Sequence, residues 1–272
     1  ALKVAQKAGI GLLELYQKPG PFAVSTKQDA SPLTDADILA HEIIKVGLIE
    51  ITPTIPVLSE EDCHIPFQER REWPYYWLVD PLDGTREFIH RSDEFTVNIA
   101  LIHKGHPILG IIYLPVANIS FFACQGQKAF KQEANHPPQP IHIRRRTSSE
   151  NIVVVIGPRS KTTRLQEILP KHHQYEILRL GSALKFCWIA EGKADIYPCL
   201  GAPYEWDTAA GLCIIEAAGG QIIDLQRLKP LQYNAKESLV SPPFIAVGDN
   251  QLLTQFNLPP IIQTSETKHE RY

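Results

Sequence analysis

The sequence lacks several features that would assign it to a familiar class at once. It has no Met among 272 residues, which is unusual for this length, and its five Cys form no C-x-x-C pair. Cys residues that are odd in number and lie in apolar stretches are typical of buried, unpaired thiols. We therefore expect a reducing, cytoplasmic compartment.

Other absences narrow the function. No apolar run approaches the roughly 18 residues that cross a bilayer, and the first ten residues do not have a signal-peptide layout. The net charge of −3 is too near zero to indicate nucleic acid or membrane as the main partner. The motifs G-x-S-x-G and G-x-x-x-x-G-K-[ST] are missing, which argues against a serine-hydrolase elbow and a P-loop.

Apolar residues make up 44% of the chain, which is ample for a packed core. Their periodicity predicts helices over 2–17 and 35–50, the second with Thr34 as N-cap and Asp37 in a capping box. The central part predicts two antiparallel hairpins, and a Pro-rich polar loop at 135–140 follows them.

After that loop, strands and helices alternate between residues 152 and 247, which is typical of layered α/β architecture. Helices are predicted at 162–169, 183–191 and 208–218. We predict an antiparallel-sheet half (1–140) and an α/β half (141–258) that meet near the Pro-rich loop, followed by a polar tail (259–272).

The segment W-L-V-D-P-L-D-G-T, residues 77–85, predicts a buried strand that ends in two carboxylates. The proline extends the residue before it, and Gly84 permits a tight turn. Asp80, Asp83 and the carbonyl of Leu82 could then converge on one point, and such oxygen ligands suit Mg²⁺. The following amides would meet a phosphate. The alternative is a turn without chemistry.

Three further acidic sites stand at predicted element ends. Glu60 and Glu61 follow an apolar strand, Asp207 starts a predicted helix, and Asp37 lies in the first turn of another. Each has a structural alternative, since the first pair could be a solvated loop and the others could be helix caps. Four acidic sites at element ends together favour a metal and phosphate site.

At this point the chain resembles the lithium-sensitive, Mg²⁺-dependent phosphatase superfamily that includes inositol monophosphatase. Within it, the resemblance is to bacterial 3′(2′),5′-bisphosphate nucleotidases of the CysQ type. The matching segments are collinear: K-x-D-x-S-P-x-T-x-A-D (27–37), L-S-E-E-D (58–62), W-L-V-D-P-L-D-G-T-x-E-F-I (77–89), E-F-T-V-N-I-A-L-I (94–102), G-S-A-L-K-F-C (181–187), A-E-G-x-A-D-x-Y-P (190–198) and W-D-T-A-A-G (206–211).

The resemblance implies an αβαβα fold and removal of the 3′-phosphate of adenosine 3′,5′-bisphosphate, or of its sulfated analogue, by metal-activated water. It implies two Mg²⁺ ions, one held by Glu60, Asp80 and the Leu82 carbonyl and one by Asp80, Asp83 and Asp207. The implied catalytic residues are Asp37, Glu60 and Thr85. A weaker third Mg²⁺ or a closing loop would involve Glu61 and Lys27. Substrate contacts are assigned to Glu60, Leu82, Asp83, Gly84, Thr85, Gly181, Ser182 and Asp207.

One departure affects the substrate. Relatives of this type commonly carry Arg after Tyr-Pro, where this chain has Cys199. An inositol monophosphate or sugar phosphate phosphatase therefore stays open, as does a non-catalytic module that binds a phosphate ligand. The expected partner is a small phosphate ester and no nucleic acid polymer. The resemblance is compatible with a monomer or homodimer and with peripheral association at the cytoplasmic face of the inner membrane.

Overall fold

The computed structural model describes residues 1–22, 24–26, 32–145, 151–163, 165–169 and 174–256. The helices are α1 Leu2–Tyr16, α2 Asp35–Ile51, α3 Phe67–Arg70, α4 Thr85–Ile89, α5 Leu165–Ile168, α6 Leu184–Ala190 and α7 Glu205–Ala218. The strands are β1 Val24–Thr26, β2 Pro32–Thr34, β3 Val57–Ser59, β4 Tyr75–Asp83, β5 Thr96–His103, β6 His106–Leu114, β7 Ile119–Cys124, β8 Ala129–Glu133, β9 Gln139–Ile141, β10 Ile152–Ile156, β11 Tyr175–Arg179, β12 Ile196–Cys199, β13 Gln221–Asp224, β14 Lys229–Pro230 and β15 Phe244–Val247. A 3₁₀ helix, Asn250–Gln255, follows β15.

The first sheet has seven strands in the order β3-β4-β5-β6-β7-β8-β9. Only its β3–β4 pair is parallel, and the two predicted hairpins are confirmed as β5–β6 and β7–β8. The Pro-rich loop predicted at 135–140 ends two residues earlier, because Gln139 and Pro140 already belong to β9. Pro140 is tolerated there because β9 is an edge strand. On its outer side no neighbouring strand needs the N–H that proline lacks.

The second sheet has the order β11-β10-β12-β15-β13-β14. Strand β10 pairs in parallel with β11 and β12, and β15 runs antiparallel to β12 and β13. The predicted alternation of strands and helices is therefore confirmed. The helix expected at 162–169 is shorter in the described residues, where it covers one turn, Leu165–Ile168.

The side chains of β5 show how the layers stack. Val97 and Ile99 join a cluster with α1 and α2, whereas Ala100 and Ile102 join a cluster with α6, α7 and the second sheet. The far face of the second sheet packs on α5 and the 3₁₀ helix. The fold is thus an α/β sandwich with the predicted αβαβα layers. The division into two halves at residue 140 stays a prediction, since the sheets share one apolar cluster.

Among the described helices, none combines the length and the apolar content that a bilayer span requires.

Candidate active site

The two carboxylates of β4 lie on the same side of the chain because the strand contains a bulge. Asp80 pairs with Asn98 and Asp83 with Thr96, so β4 has one more residue than β5 between these pairs. Residues three apart in a regular strand point to opposite faces, and one extra residue returns them to one face. The strand was predicted to end in these two carboxylates, and its last residue is Asp83.

Gly84 turns the chain out of β4 and into α4. Its φ of 91° lies in the left-handed region, and a Cβ there would lie 3.2 Å from the Glu94 carbonyl oxygen. A side chain at this position would therefore meet both backbone strain and a close contact. This turn brings the Thr85 hydroxyl within 3.0 Å of Asp37 Oδ1, to which it donates a hydrogen bond.

Asp37 makes both kinds of contact that the sequence suggested for it. Its Oδ2 accepts a hydrogen bond of 2.7 Å from the Thr34 amide, and the Thr34 hydroxyl accepts one of 3.2 Å from the Ala36 amide, which completes the capping box. Its Oδ1 accepts the hydrogen bond from Thr85. The cap fixes the carboxylate in a buried position, from which it can act on Thr85.

Asp207 approaches Asp80 and Asp83 from α7. One carboxylate oxygen from each of the three residues lies within 4.8 Å of the others. Asp207 does not start the helix as expected. Helix α7 begins at Glu205 with Tyr204 as N-cap, and the Tyr204 amide donates to Asp207 Oδ2 at 2.8 Å. Asp207 therefore caps α7 from inside its first turn, with its carboxylate at the acidic cluster.

Glu60 enters the same region from β3. Its amide donates to the Val79 carbonyl at 3.0 Å, so the chain leaves the sheet beside Asp80. The charge of Glu60 acts on Asp207. Glu61 follows it and is half-buried.

The carboxylates of the cluster are buried or half-buried and repel one another. Burial first, and then the charges of Asp83 and Glu60, hold the pKa of Asp207 well above its usual range. Burial also raises the pKa of Asp83. Carboxylates that repel one another in this way gain from a bound cation, and hard oxygen donors suit Mg²⁺. The donor set therefore fits the metal that the sequence predicted.

A second ring of polar groups surrounds Asp83; Ser182 was predicted from the sequence as a substrate contact, whereas Thr96 and Asn98 were not predicted. Asp83 Oδ2 accepts hydrogen bonds from Ser182 Oγ at 2.9 Å and from Asn98 Nδ2 at 3.2 Å. The Thr96 hydroxyl in turn donates to Asn98 Oδ1 at 2.9 Å. Thr96 and Asn98 are polar residues two apart in an otherwise apolar strand, and this alternation was a signal that could have identified them.

Lys185 was also missed. Burial is the largest influence on its ammonium and lowers its pKa, while the charges of Asp83, Cys199 and Asp207 oppose the shift. Its Nζ donates to the carbonyls of Leu180 and Ser182, which holds the turn before α6. The buried ammonium of Lys185 therefore lies near enough to the acidic cluster and to Cys199 for their charges to act on it.

Gly181 and Ser182 form the turn that precedes α6. The Gly181 amide donates to Glu94 Oε2 at 2.8 Å, and Ser182 has a φ of 53°. A residue other than Gly rarely takes this conformation, so the fold holds Ser182 in place at an energetic cost. Lys27 and the tail from residue 259 lie outside the described residues.

The family model for the inositol monophosphatase family matches residues 1–258. The chain belongs to the inositol monophosphatase family. A 3′(2′),5′-bisphosphate nucleotidase CysQ of Escherichia coli K12 is 45% identical over 89% of this chain and 96% of its own length. The CysQ of Haemophilus influenzae is 36% identical over 94% and 96%. Among family structures, CysQ from Bacteroides thetaiotaomicron is 37% identical over 91% of this chain and 95% of its own, with a TM-score of 0.77.

Proposed function

We propose that the chain is a Mg²⁺-dependent phosphatase that removes the 3′-phosphate of adenosine 3′,5′-bisphosphate, or of its sulfated analogue. The products from the first substrate are AMP and phosphate. The observation that carries the reaction class is the convergence of Asp80, Asp83 and Asp207 within 4.8 Å. The choice of substrate is supported by the CysQ relatives, of which one is 45% identical over 242 residues.

Two Mg²⁺ ions would share this cluster. Glu60, Asp80 and the Leu82 carbonyl would hold one, and Asp80, Asp83 and Asp207 the other. When bound, the ions neutralise the phosphate and leaving-oxygen charges and make water a nucleophile near neutral pH. The number of ions stays a proposal, and so does a weaker third ion at Glu61.

The protein's own part in the chemistry is to place the water and take its proton. The Thr85 hydroxyl donates to Asp37 at 3.0 Å, so its oxygen is left to accept a hydrogen bond from the attacking water. Asp37 is only 1% exposed, which keeps its carboxylate away from bulk solvent. A proton that leaves the water can pass through Thr85 to Asp37, with Glu60 beside the same water as a second acceptor.

Substrate contacts by Gly181 and Ser182 are part of the same proposal. Both groups already have partners, because Glu94 accepts from the Gly181 amide and Asp83 from the Ser182 hydroxyl. Binding a sugar hydroxyl here would therefore reuse Ser182 as an acceptor while it keeps donating to Asp83. Gly84 and Thr85 would offer their amides to the phosphate that is removed.

Lys185 offers an answer to the missing Arg. Its charge acts on the thiol of Cys199 and on Asp83, so a cation remains near both groups. A second phosphate is the chemical group that such a cation favours. A bisphosphate can therefore still be distinguished from a monophosphate although position 199 carries no charge.

The decisive experiment is to measure kcat/KM side by side for adenosine 3′,5′-bisphosphate, its sulfated analogue and inositol 1-phosphate. We expect a preference of about 100-fold for the nucleotides, or ~2.7 kcal/mol of differential transition-state binding. A preference for inositol 1-phosphate would contradict the proposed substrate but not the proposed reaction class. No phosphate release from any ester in Mg²⁺ would favour the binding-module alternative.

The proposed role of Lys27 and Glu61 at a third ion has its own test. A third, weaker ion would be lost first when Mg²⁺ is lowered. We expect Lys27→Ala and Glu61→Ala to need more Mg²⁺ for half-maximal rate than the parent. An unchanged KM, kcat and Mg²⁺ response would remove both residues from the mechanism. A monomer or homodimer and a cytoplasmic location stay predictions.

A further inference from the structure

A second buried polar group lies at the start of α7, apart from the acidic cluster. It consists of Arg70 at the end of α3, Glu205 at the start of α7, and Asn234 in the loop between β14 and β15. Arg70 and Glu205 are each 2% exposed. Charged side chains are seldom buried this deeply unless they are paired or hydrogen-bonded.

Arg70 and Asn234 bind each other reciprocally. The Arg70 guanidinium donates to Asn234 Oδ1 and to the carbonyls of Lys236 and Glu237. Asn234 Nδ2 donates back to the Arg70 carbonyl at 2.6 Å. Asn234 has a φ of 54°, a conformation that Asn tolerates better than most residues. The loop is thus tied to α3 through side chains that offer several donors in a fixed geometry.

The same loop binds the first turn of α7. The backbone N–H of Asn234 donates to Glu205 Oε2 at 2.8 Å, and the backbone N–H of Glu205 donates to the Leu239 carbonyl at 2.9 Å. Just before the helix, the Ser241 amide donates to the Pro203 carbonyl at 2.7 Å. The loop therefore holds α7 at its first residue by both main chain and side chain.

A further hydrogen bond to the same loop is made on the other side of Asp207. The hydroxyls of Thr208 and Tyr233 are 3.1 Å apart, and the Thr208 hydroxyl also reaches the Glu205 carbonyl at 3.1 Å. Asp207 thus lies between two residues of one helical turn that the same loop holds. Since a helical turn moves as a unit, a shift of the loop would move the Asp207 carboxylate.

We propose that Arg70 is a positioning residue for the metal site, acting through Asn234 and Glu205 on the direction of Asp207. The proposal rests on the proposed function, because it assumes that Asp207 binds Mg²⁺. Side chains that orient a metal ligand without touching the metal typically change metal affinity by 10- to 100-fold when they are replaced. We expect that range here.

The test measures Mg²⁺ binding by isothermal titration calorimetry on folded protein without substrate, and KM at saturating Mg²⁺. Arg70→Lys keeps the positive charge but loses the planar guanidinium with its several N–H donors. We expect the Mg²⁺ dissociation constant to rise about 10-fold or more. Asn234→Gly suits the left-handed backbone at this position. It keeps the hydrogen bond from the backbone N–H to Glu205 but removes the side-chain hydrogen bonds to Arg70. We expect the same rise. KM should change less than about twofold in both variants, since the substrate contacts are intact.

One matched variant acts as the control. Arg71→Lys changes the exposed neighbour of Arg70, which pairs with Glu72 at the surface, and should change nothing. Folded Asn234→Gly protein with wild-type Mg²⁺ affinity would overturn the positioning role alone. Wild-type protein that binds no Mg²⁺ would overturn the metal site and this inference with it.

Discussion

Replacement of Asp83 by Asn tests the acidic cluster most directly, because the structure predicts opposite effects on stability and activity. Oxygen Oδ2 of Asp83 accepts the hydrogen bonds from Ser182 and Asn98. An amide can keep its oxygen in that place and turn its nitrogen toward Asp80 and Asp207. The repulsion between residue 83 and the carboxylates of Asp80 and Asp207 would then become an attraction, with the fold unchanged.

The magnitude follows from the distance between the carboxylates. Two full charges at the 4.8 Å that bounds this cluster repel by about 3.5 kcal/mol at an effective dielectric of about 20. Part of this is already offset in the wild type, because the pKa of Asp207 is raised, so that the group takes up a proton more readily, and because the charge of Lys185 attracts Asp83. We therefore expect Asp83→Asn to raise the free energy of unfolding by about 1–3 kcal/mol in EDTA, or roughly 2–4 °C in Tm per kcal/mol.

In Mg²⁺ this difference should shrink or reverse. At a metal concentration 100 times the dissociation constant, the wild type gains about 2.7 kcal/mol of stability and the variant gains little. We expect kcat to fall at least about 1,000-fold, or ~4 kcal/mol of barrier. Thermal melts in EDTA and in Mg²⁺, with phosphate release from adenosine 3′,5′-bisphosphate, measure all three quantities.

The control is Glu72→Gln, which removes one carboxylate that is 71% exposed and should leave all three quantities unchanged. The reasoning is refuted if Asp83→Asn is less stable than the wild type in EDTA. It is also refuted if the variant is stabilised by Mg²⁺ as much as the wild type, or keeps more than about a tenth of kcat (~1.4 kcal/mol).

Three further predictions concern single contacts. Thr85→Val should lower kcat about 100-fold with unchanged Mg²⁺ affinity, because the hydroxyl bound to Asp37 is lost. Thr85→Ser keeps a hydroxyl and should keep most of the wild-type kcat. If both variants lost kcat equally, a role of the hydroxyl in the reaction would be excluded. The Glu216 hydrogen bond raises the pKa of His106, so the pair stabilises fully below about pH 6.5 and less as pH rises through the folded pKa. His106→Gln should therefore cost at most about 1 kcal/mol in urea unfolding at pH 5.5 and nothing near pH 9, and a loss independent of pH would contradict this. Gly110→Ala would place a Cβ 2.5 Å from a carbonyl oxygen of α7 and should destabilise by about 1–3 kcal/mol in the same assay; wild-type stability would show that α7 can move away.

Local patterns were sufficient for the centre of the site. The D-P-L-D-G-T run places two carboxylates, a carbonyl and a turn within a few residues, so Asp80, Asp83 and Gly84 could be singled out without a partner strand. The capping pattern of Asp37 was equally local and is confirmed. The layered fold followed from strand–helix alternation, which depends on neighbours in sequence.

Features that depend on distant partners could not be predicted. The bulge in β4 exists only relative to β5, so the residues of β4 alone could not predict it. Helix α7 begins two residues before Asp207 because Tyr204, a residue type that seldom caps helices, takes the N-cap position. Arg70 stands in the polar run E-R-R-E, where nothing local distinguishes the buried Arg from its exposed neighbour.

Helix α7 also determines when activity can arise during folding. Asp80 and Asp83 are supplied by the first sheet, but Asp207 is far later in the chain and reaches them only when α7 packs between the two sheets. Contacts between such distant residues form late, because a long loop must close first. Recovery of phosphatase activity during refolding would therefore time the docking of α7, whereas far-UV circular dichroism would register the sheets and helices that precede it.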